Sequence, residues 1–85
     1  MQFKNKVVLV TGGSSGLGFA IAEAFASQGA DLIITGRRQP QLDEAVSRLG
    51  GNASAVRTDI SNPADLAELF THIRAVHGRI DVLIA

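Results

Sequence analysis

Short apolar runs alternate with amphipathic stripes along the whole of this 85-residue chain, and that alternation constrains its architecture more than any single motif. Val7 to Thr11 (VVLVT) and Asp31 to Gly36 (DLIITG) are β-branched-rich runs without polar alternation, the pattern of strands buried on both faces of a parallel sheet. Helical spacing follows each. Leu17, Ile21, Ala24, Phe25 and Gln28 recur at the period of a first helix, which Ala20, Ala22 and Ala26 keep slim and Gly29 ends. Leu42, Ala45, Val46 and Leu49 mark a second stripe, closed by Gly50 and Gly51. A weaker strand is expected at Ala55 to Thr58, with Arg57 at an exposed end or leaning along the surface. Asn62 as cap, Pro63 at the first helical position and Asp65 in the first turn predict a third helix. Its buried stripe is Leu66, Leu69, Phe70, Ile73 and Val76 or His77, and Gly78 stops it. A fourth apolar run, DVLIA, follows at Asp81 to Ala85. The order implies an α/β fold, βαβαβαβ, with a parallel sheet, right-handed crossovers and helices on both faces.

Composition excludes several functions. Lys plus Arg and Asp plus Glu balance at 8 each, which gives no electrostatic footprint for nucleic acid or a membrane surface. Zero cysteines exclude a disulfide frame and a thiolate metal site, and His72 and His77, five positions apart, do not make a same-face ligand pair, so no metal is expected. MQFKNK lacks the apolar core of a signal peptide, and no apolar run approaches the ~18 residues of a spanning helix, so the default expectation is a cytoplasmic location. A chain this short makes one domain with a thin core.

Between the first strand and the first helix lies TGGSSGLG, residues 11 to 18. One reading is a tight turn in which Gly16 and Gly18 let helix and strand approach. The other is a phosphate cradle: glycines allow positive φ and close passage of a diphosphate, the helix N-terminus offers unpaired N–H groups, and Ser14 and Ser15 add hydroxyl donors. A turn needs one or two glycines, so the excess favours the cradle. The site lies where doubly wound sheets bind ligands, outside the C-terminal end of the first strand. Gly13 and Gly18 have the spacing of a P-loop, but Phe19 stands where that loop needs Lys, which disfavours phosphoryl transfer.

Gly12, Gly16 and Gly18 form GxxxGxG in place of GxGxxG, and with Thr11 this resembles the short-chain dehydrogenase/reductase family, which carries TGxxxGxG after its first strand and binds NAD(H) or NADP(H). The resemblance covers the chain: GR at 36 and 37, DI at 59 and 60 and DVLIA, which looks like the lead into that family's NAG segment, stand in the family's order. It implies the N-terminal part of a doubly wound Rossmann-type domain, with Gly12, Ser14, Ser15, Gly16, Leu17 and Gly18 binding cofactor. By the same resemblance Asp59 accepts from the adenine amino group and Ile60 lines the adenine pocket; the local alternative for Asp59 is a carboxylate that helps Ser61 and Asn62 begin the third helix. An NAD site commonly has a carboxylate near the end of the second strand. Arg37 and Arg38 stand there instead, and guanidinium groups pair with a 2′-phosphate, so NADP(H) is favoured with NAD(H) left open; otherwise the two arginines solvate a surface loop.

The family's Ser, Tyr and Lys act in a later part of its fold, and this chain has no tyrosine, so no catalytic residue is assigned. A central-type strand at DVLIA would also lack a neighbour. The expectation is therefore that residues 1–85 are an incomplete domain, the cofactor-binding segment of a longer oxidoreductase that acts on a small-molecule substrate. Relatives often form tetramers through later helices, which leaves a homo-oligomer open for the full-length enzyme. The alternatives are a non-catalytic NADP(H)-binding sensor or interaction module and, more remotely, an S-adenosylmethionine site.

Overall fold

The computed structural model describes residues 2–85. The elements run β1 (Val7–Thr11), α1 (Gly16–Ser27), β2 (Asp31–Gly36), α2 (Gln39–Leu49), β3 (Ala53–Arg57), α3 (Pro63–Val76) and β4 (Val82–Ile84). All four strands are parallel, in the spatial order β3-β2-β1-β4. The chain steps outward from β1 to β3 and then returns across the sheet to lay β4 on the free side of β1. A constant hand of crossover requires the returning helix to lie on the opposite face, and it does.

Strand alternation shows this. Val8 and Val10 of β1 with Leu32 and Ile34 of β2 point to one face, where Phe19 and Ala22 of α1 and Leu42 and Ala45 of α2 cover them. Val7, Leu9 and Ile33 point to the other, where Leu69 and Ile73 of α3 cover them. Both central strands are thus buried on two sides, which is why their sequences lack polar alternation. Each fully buried Leu, Ile or Val contributes about 1.5–3 kcal/mol relative to exposure, so β1 and β2 hold the molecule together.

β1 and β4 are joined by side chains as well as by their ladder. Asp81 Oδ2 accepts from Val7 N at 2.8 Å and from Arg79 Nε at 2.9 Å, and Thr11 Oγ1 donates to Ile84 O at 3.3 Å. The Val7 N–H, then the Arg79 guanidinium, hold the Asp81 carboxyl below its ordinary value.

Three sequence expectations need correction. In α1 the sheet-facing residues are Phe19 and Ala22, with Ile21, Phe25 and Ala26 packed at the flanks; Leu17 is 77% exposed and Ala20 and Ala24 are exposed. The helix is turned so that small Ala22 meets the strands, and the Phe19 ring fills the gap toward α2, capped by Arg48 with its guanidinium carbon 4.4 Å from the ring centroid. The third strand spans Ala53–Arg57, two residues earlier at its start than Ala55, because Ala53 already pairs with Leu32; Thr58 lies beyond the strand but still donates its N–H to Gly36 O at 2.8 Å. In α3, Leu69 and Ile73 are buried and Leu66 and His77 half-buried, whereas Phe70 and Val76 are exposed because the sheet touches only one narrow side of the helix. No helix among the described residues is long and apolar enough to cross a membrane.

Candidate functional site

The C-terminal ends of β1, β2 and β3 open onto one edge of the sheet, and the loops that leave them build two adjoining clefts. The first loop begins as soon as β1 ends: Gly12 N donates to Thr35 O at 2.9 Å, and Gly12 then takes φ +72°, a turn that L side chains resist. Gly16 repeats this at φ +58°.

The four glycines of TGGSSGLG divide into two kinds. A Cβ on Gly12 or Gly16 would meet nothing within 4 Å, so both lie on the open side of the loop. A Cβ on Gly18 would lie 2.0 Å from Gly12 O, and one on Gly13 would lie 2.6 Å from Ile34 Cγ2, so these two let α1 and the sheet close on the loop. The close-approach reading thus holds for Gly18 but not for Gly16, which with Gly12 borders open space. Gly13, which the sequence expectation omitted from the site, is the buried one; its signal was position, directly after the strand and against a second β-branched strand.

The start of α1 is left open. Ser15 is its N-cap residue, in extended conformation, yet its side chain makes no capping hydrogen bond. Phe19 N donates to Ser15 O at 3.2 Å as the first helical bond. The N–H groups of Gly16, Leu17 and Gly18 have no acceptor among the described residues. Three donors without acceptors and the positive end of a helix dipole thus lie next to the two glycines with open space above them. The Leu17 side chain lines neither adjoining cleft.

One cleft, of roughly 410 Å³, is lined by Gly12, Gly36, Arg37, Thr58, Asp59, Ile60 and Ser61. Its surface is apolar at Ile60, which is 56% exposed, and polar at the Asp59 turn. Asp59 Oδ1 accepts from Ser61 Oγ at 2.6 Å and Ser61 N at 3.0 Å, and Asp59 O accepts from Asn62 N at 2.9 Å. This is the local turn that the sequence offered as one alternative. It occupies Oδ1 and leaves Oδ2 without a partner among the described residues, so Asp59 has an acceptor to spare. The Ser61 hydroxyl first, then the Ser61 N–H, with the Arg37 and Arg57 charges, hold its carboxyl below the ordinary value, so it is ionised throughout the neutral range.

The second cleft, of roughly 250 Å³, is polar and lined by Ser14, Ser15, Arg37, Arg38 and Gln41. Arg37 borders both. Neither Arg37 nor Arg38 has an ion-pair partner among the described residues. The helix behind them, α2, starts at an uncapped Arg38, so its first turn adds a second open N-terminus to this cleft. Gly36 separates the clefts: a Cβ there would stand 3.7 Å from Ser14 Oγ. Thr58, Ser61, Gly36 and Gln41 were not among the expected residues; the first two flank the DI pair, and Gln41 is on the first turn of a helix whose start had not been assigned.

The fold with this loop is one that known proteins share. Residues 6–85 match the family model described as short chain dehydrogenase. The chain is 41% identical over 84 residues to oxidoreductase asL5 of Sarocladium schorii and 36% identical over 84 residues to the 3-oxoacyl-[acyl-carrier-protein] reductase FabG of Escherichia coli; each match covers 99% of this chain and 34% of the relative. The chain thus spans about a third of the length of these curated relatives. A crystal structure of a short chain dehydrogenase from Bacillus anthracis superposes with a TM-score of 0.88 at 40% identity, over 93% of this chain and 34% of that one. A metagenomic short-chain oxidoreductase in complex with NADP superposes with a TM-score of 0.93 at 35% identity, over 98% of this chain and 39% of that one.

Proposed function

The chain belongs to the short-chain dehydrogenase family, and on that premise we propose that it is the dinucleotide-binding part of an NADP(H)-preferring oxidoreductase. The observation that carries this reading is the shared wall at Arg37, which joins the cleft lined by Asp59 and Ile60 to a polar groove holding Arg38, Ser14 and Ser15.

The residues present fit such a cofactor. The diphosphate lies over Gly12 and Gly16, where a Cβ would project into open space, and takes hydrogen bonds from the unpaired N–H groups that open α1. Adenine packs on Ile60 and donates its amino group to the unused oxygen of Asp59. A 2′-phosphate enters the polar groove, where Arg37 and Arg38 offer charge-assisted donors and the Ser14 hydroxyl adds one more. Bound there, a nicotinamide dinucleotide supplies or accepts a hydride. These residues bind and orient it, and the absence of tyrosine leaves the family's Tyr–Lys proton chemistry to the remainder of the longer protein. The relatives' greater length, and the identity of two of them as a dehydrogenase and a reductase, support that division.

The test is a titration of NADPH and NADH against the protein expressed from its complete reading frame and against the double variant Arg37→Ala, Arg38→Ala. A charged hydrogen bond is worth about 1.5–3 kcal/mol, so NADPH affinity should fall by roughly ten- to a hundredfold while NADH affinity holds. Unchanged NADPH affinity would end the reading.

A further inference from the structure

Arg37 and Arg38 sit on a loop, and a loop arginine discriminates between ligands only if its main chain is held. Arg38 is held by the helix that follows, since its carbonyl accepts from Leu42 N at 3.2 Å. Arg37 is one residue past β2, where the ladder ends with Gly36 O accepting from Thr58 N. Its carbonyl accepts no main-chain N–H among the described residues, and the donor it finds is a side chain: Arg57 Nε, at 3.2 Å.

Arg57 is the last residue of β3, and its guanidinium reaches two ways. While Nε binds the Arg37 carbonyl, Nη1 lies 3.5 Å from Asp65 Oδ2 on the first turn of α3. The same carboxylate oxygen accepts from Asp59 N at 2.9 Å. One fork therefore ties the loop after β2 to the start of α3, whose Asp65 also holds the turn after β3; the loop after β2 and the turn after β3 both wall the larger cleft. Asp65 is held by two donors, and a planar guanidinium can satisfy both directions at once where an ammonium cannot. Arg57 itself lines neither cleft.

We propose that Arg57, braced by Asp65, is a positioning residue for cofactor choice: it fixes the Arg37 peptide so that the Arg37 side chain meets a 2′-phosphate. This rests on the NADP(H) reading above and adds to it a residue that touches no part of the cofactor. An ordinary surface ion pair contributes little and acts on no particular ligand. A brace on the Arg37 peptide acts chiefly on the ligand that carries the extra phosphate, because Arg37 and Arg38 line the polar groove.

The experiment measures NADPH and NADH dissociation constants for the protein expressed from its complete reading frame, for Arg57→Ala and for Asp65→Asn, with a thermal melt of each. The Asn retains an acceptor for Asp59 N but loses its charge, so it removes the brace without emptying the turn and serves if the Ala variant folds poorly. The expected result is about a tenfold loss of NADPH affinity in Arg57→Ala and a smaller loss in Asp65→Asn, with NADH within about twofold of the parent in both. Arg57→Lys, which can reach the carbonyl or the carboxylate but not both, should recover part of the NADPH affinity. Equal losses for the two cofactors, or none for NADPH, would overturn the brace while leaving the NADP(H) reading in place. A parent protein that binds neither cofactor, or prefers NADH, would overturn both.

Discussion

The helices α1 and α3 begin in opposite ways. At α3, Asn62 Oδ1 accepts from Ala64 N and Asp65 N, Pro63 removes a donor that would need a partner, and Asp65 adds negative charge to the first turn. At α1, Ser15 is a residue able to cap, but its side chain leaves the donors bare and no acidic residue stands in the first turn. The difference is not one of propensity, since Ser and Asn cap about equally well. One helix satisfies its own start, and the other keeps it available. A helix end that forgoes a cap gives up about 0.5–2 kcal/mol, and that loss is reasonable where an anionic ligand provides the missing acceptors.

The largest test of this contrast is Gly18→Val. Its Cβ would overlap Gly12 O, so the loop must move off the start of α1. We expect a stability loss of about 1–3 kcal/mol in a denaturant melt from the overpacking. NADPH affinity should drop by a hundredfold or so with the loss of two charge-assisted bonds. Next is Ser15→Asp, which gives α1 the kind of cap that α3 has. Stability should rise by about 0.5–1 kcal/mol while NADPH affinity falls roughly tenfold, because the new carboxylate competes for the diphosphate's donors and repels it. The converse change at α3, Asn62→Ala, should cost about 1 kcal/mol of stability and leave NADPH affinity within about twofold. If Ser15→Asp and Asn62→Ala moved affinity alike, the contrast between the two helix starts would be empty. The smallest effect is in acid. Asp59 holds the turn into α3 with its carboxyl below the ordinary value of 3.8. Its contribution is therefore complete above that value and is lost as pH falls through the lower folded one. The Ser61 amide signal should follow this titration by NMR and stop doing so in Asp59→Asn.

Where local chemistry decides, the sequence was readable. Asn62, Pro63 and Asp65 announce the start of α3 without help from the rest of the fold, and the unalternating runs of β1 and β2 require burial on both faces. The sheet order follows from the alternation of strands and helices only as a class; that β4 lands beside β1 is a tertiary outcome. The face of α1 was misjudged because its apolar residues cover most of its circumference, and only the position of Ile34 and of α2 decides that Phe19 and Ala22 turn inward. The glycine loop could be located by spacing, but the separation of Gly12 and Gly16 from Gly13 and Gly18 depends on what stands opposite each, which spacing does not contain. Arg37 and Arg38 could be read as side chains suited to a phosphate. That an arginine twenty positions after Arg37 grips its carbonyl could not, because nothing in a linear string tells which strand end lies beside which.

β1 is paired on both sides, and the bond from Val7 N to the Asp81 carboxylate spans 74 positions of chain. Closing so distant a contact is slow compared with forming any single strand–helix unit. During synthesis the glycine loop emerges early, yet the strand that carries it gains its second neighbour only when residues near 81–84 have left the ribosome.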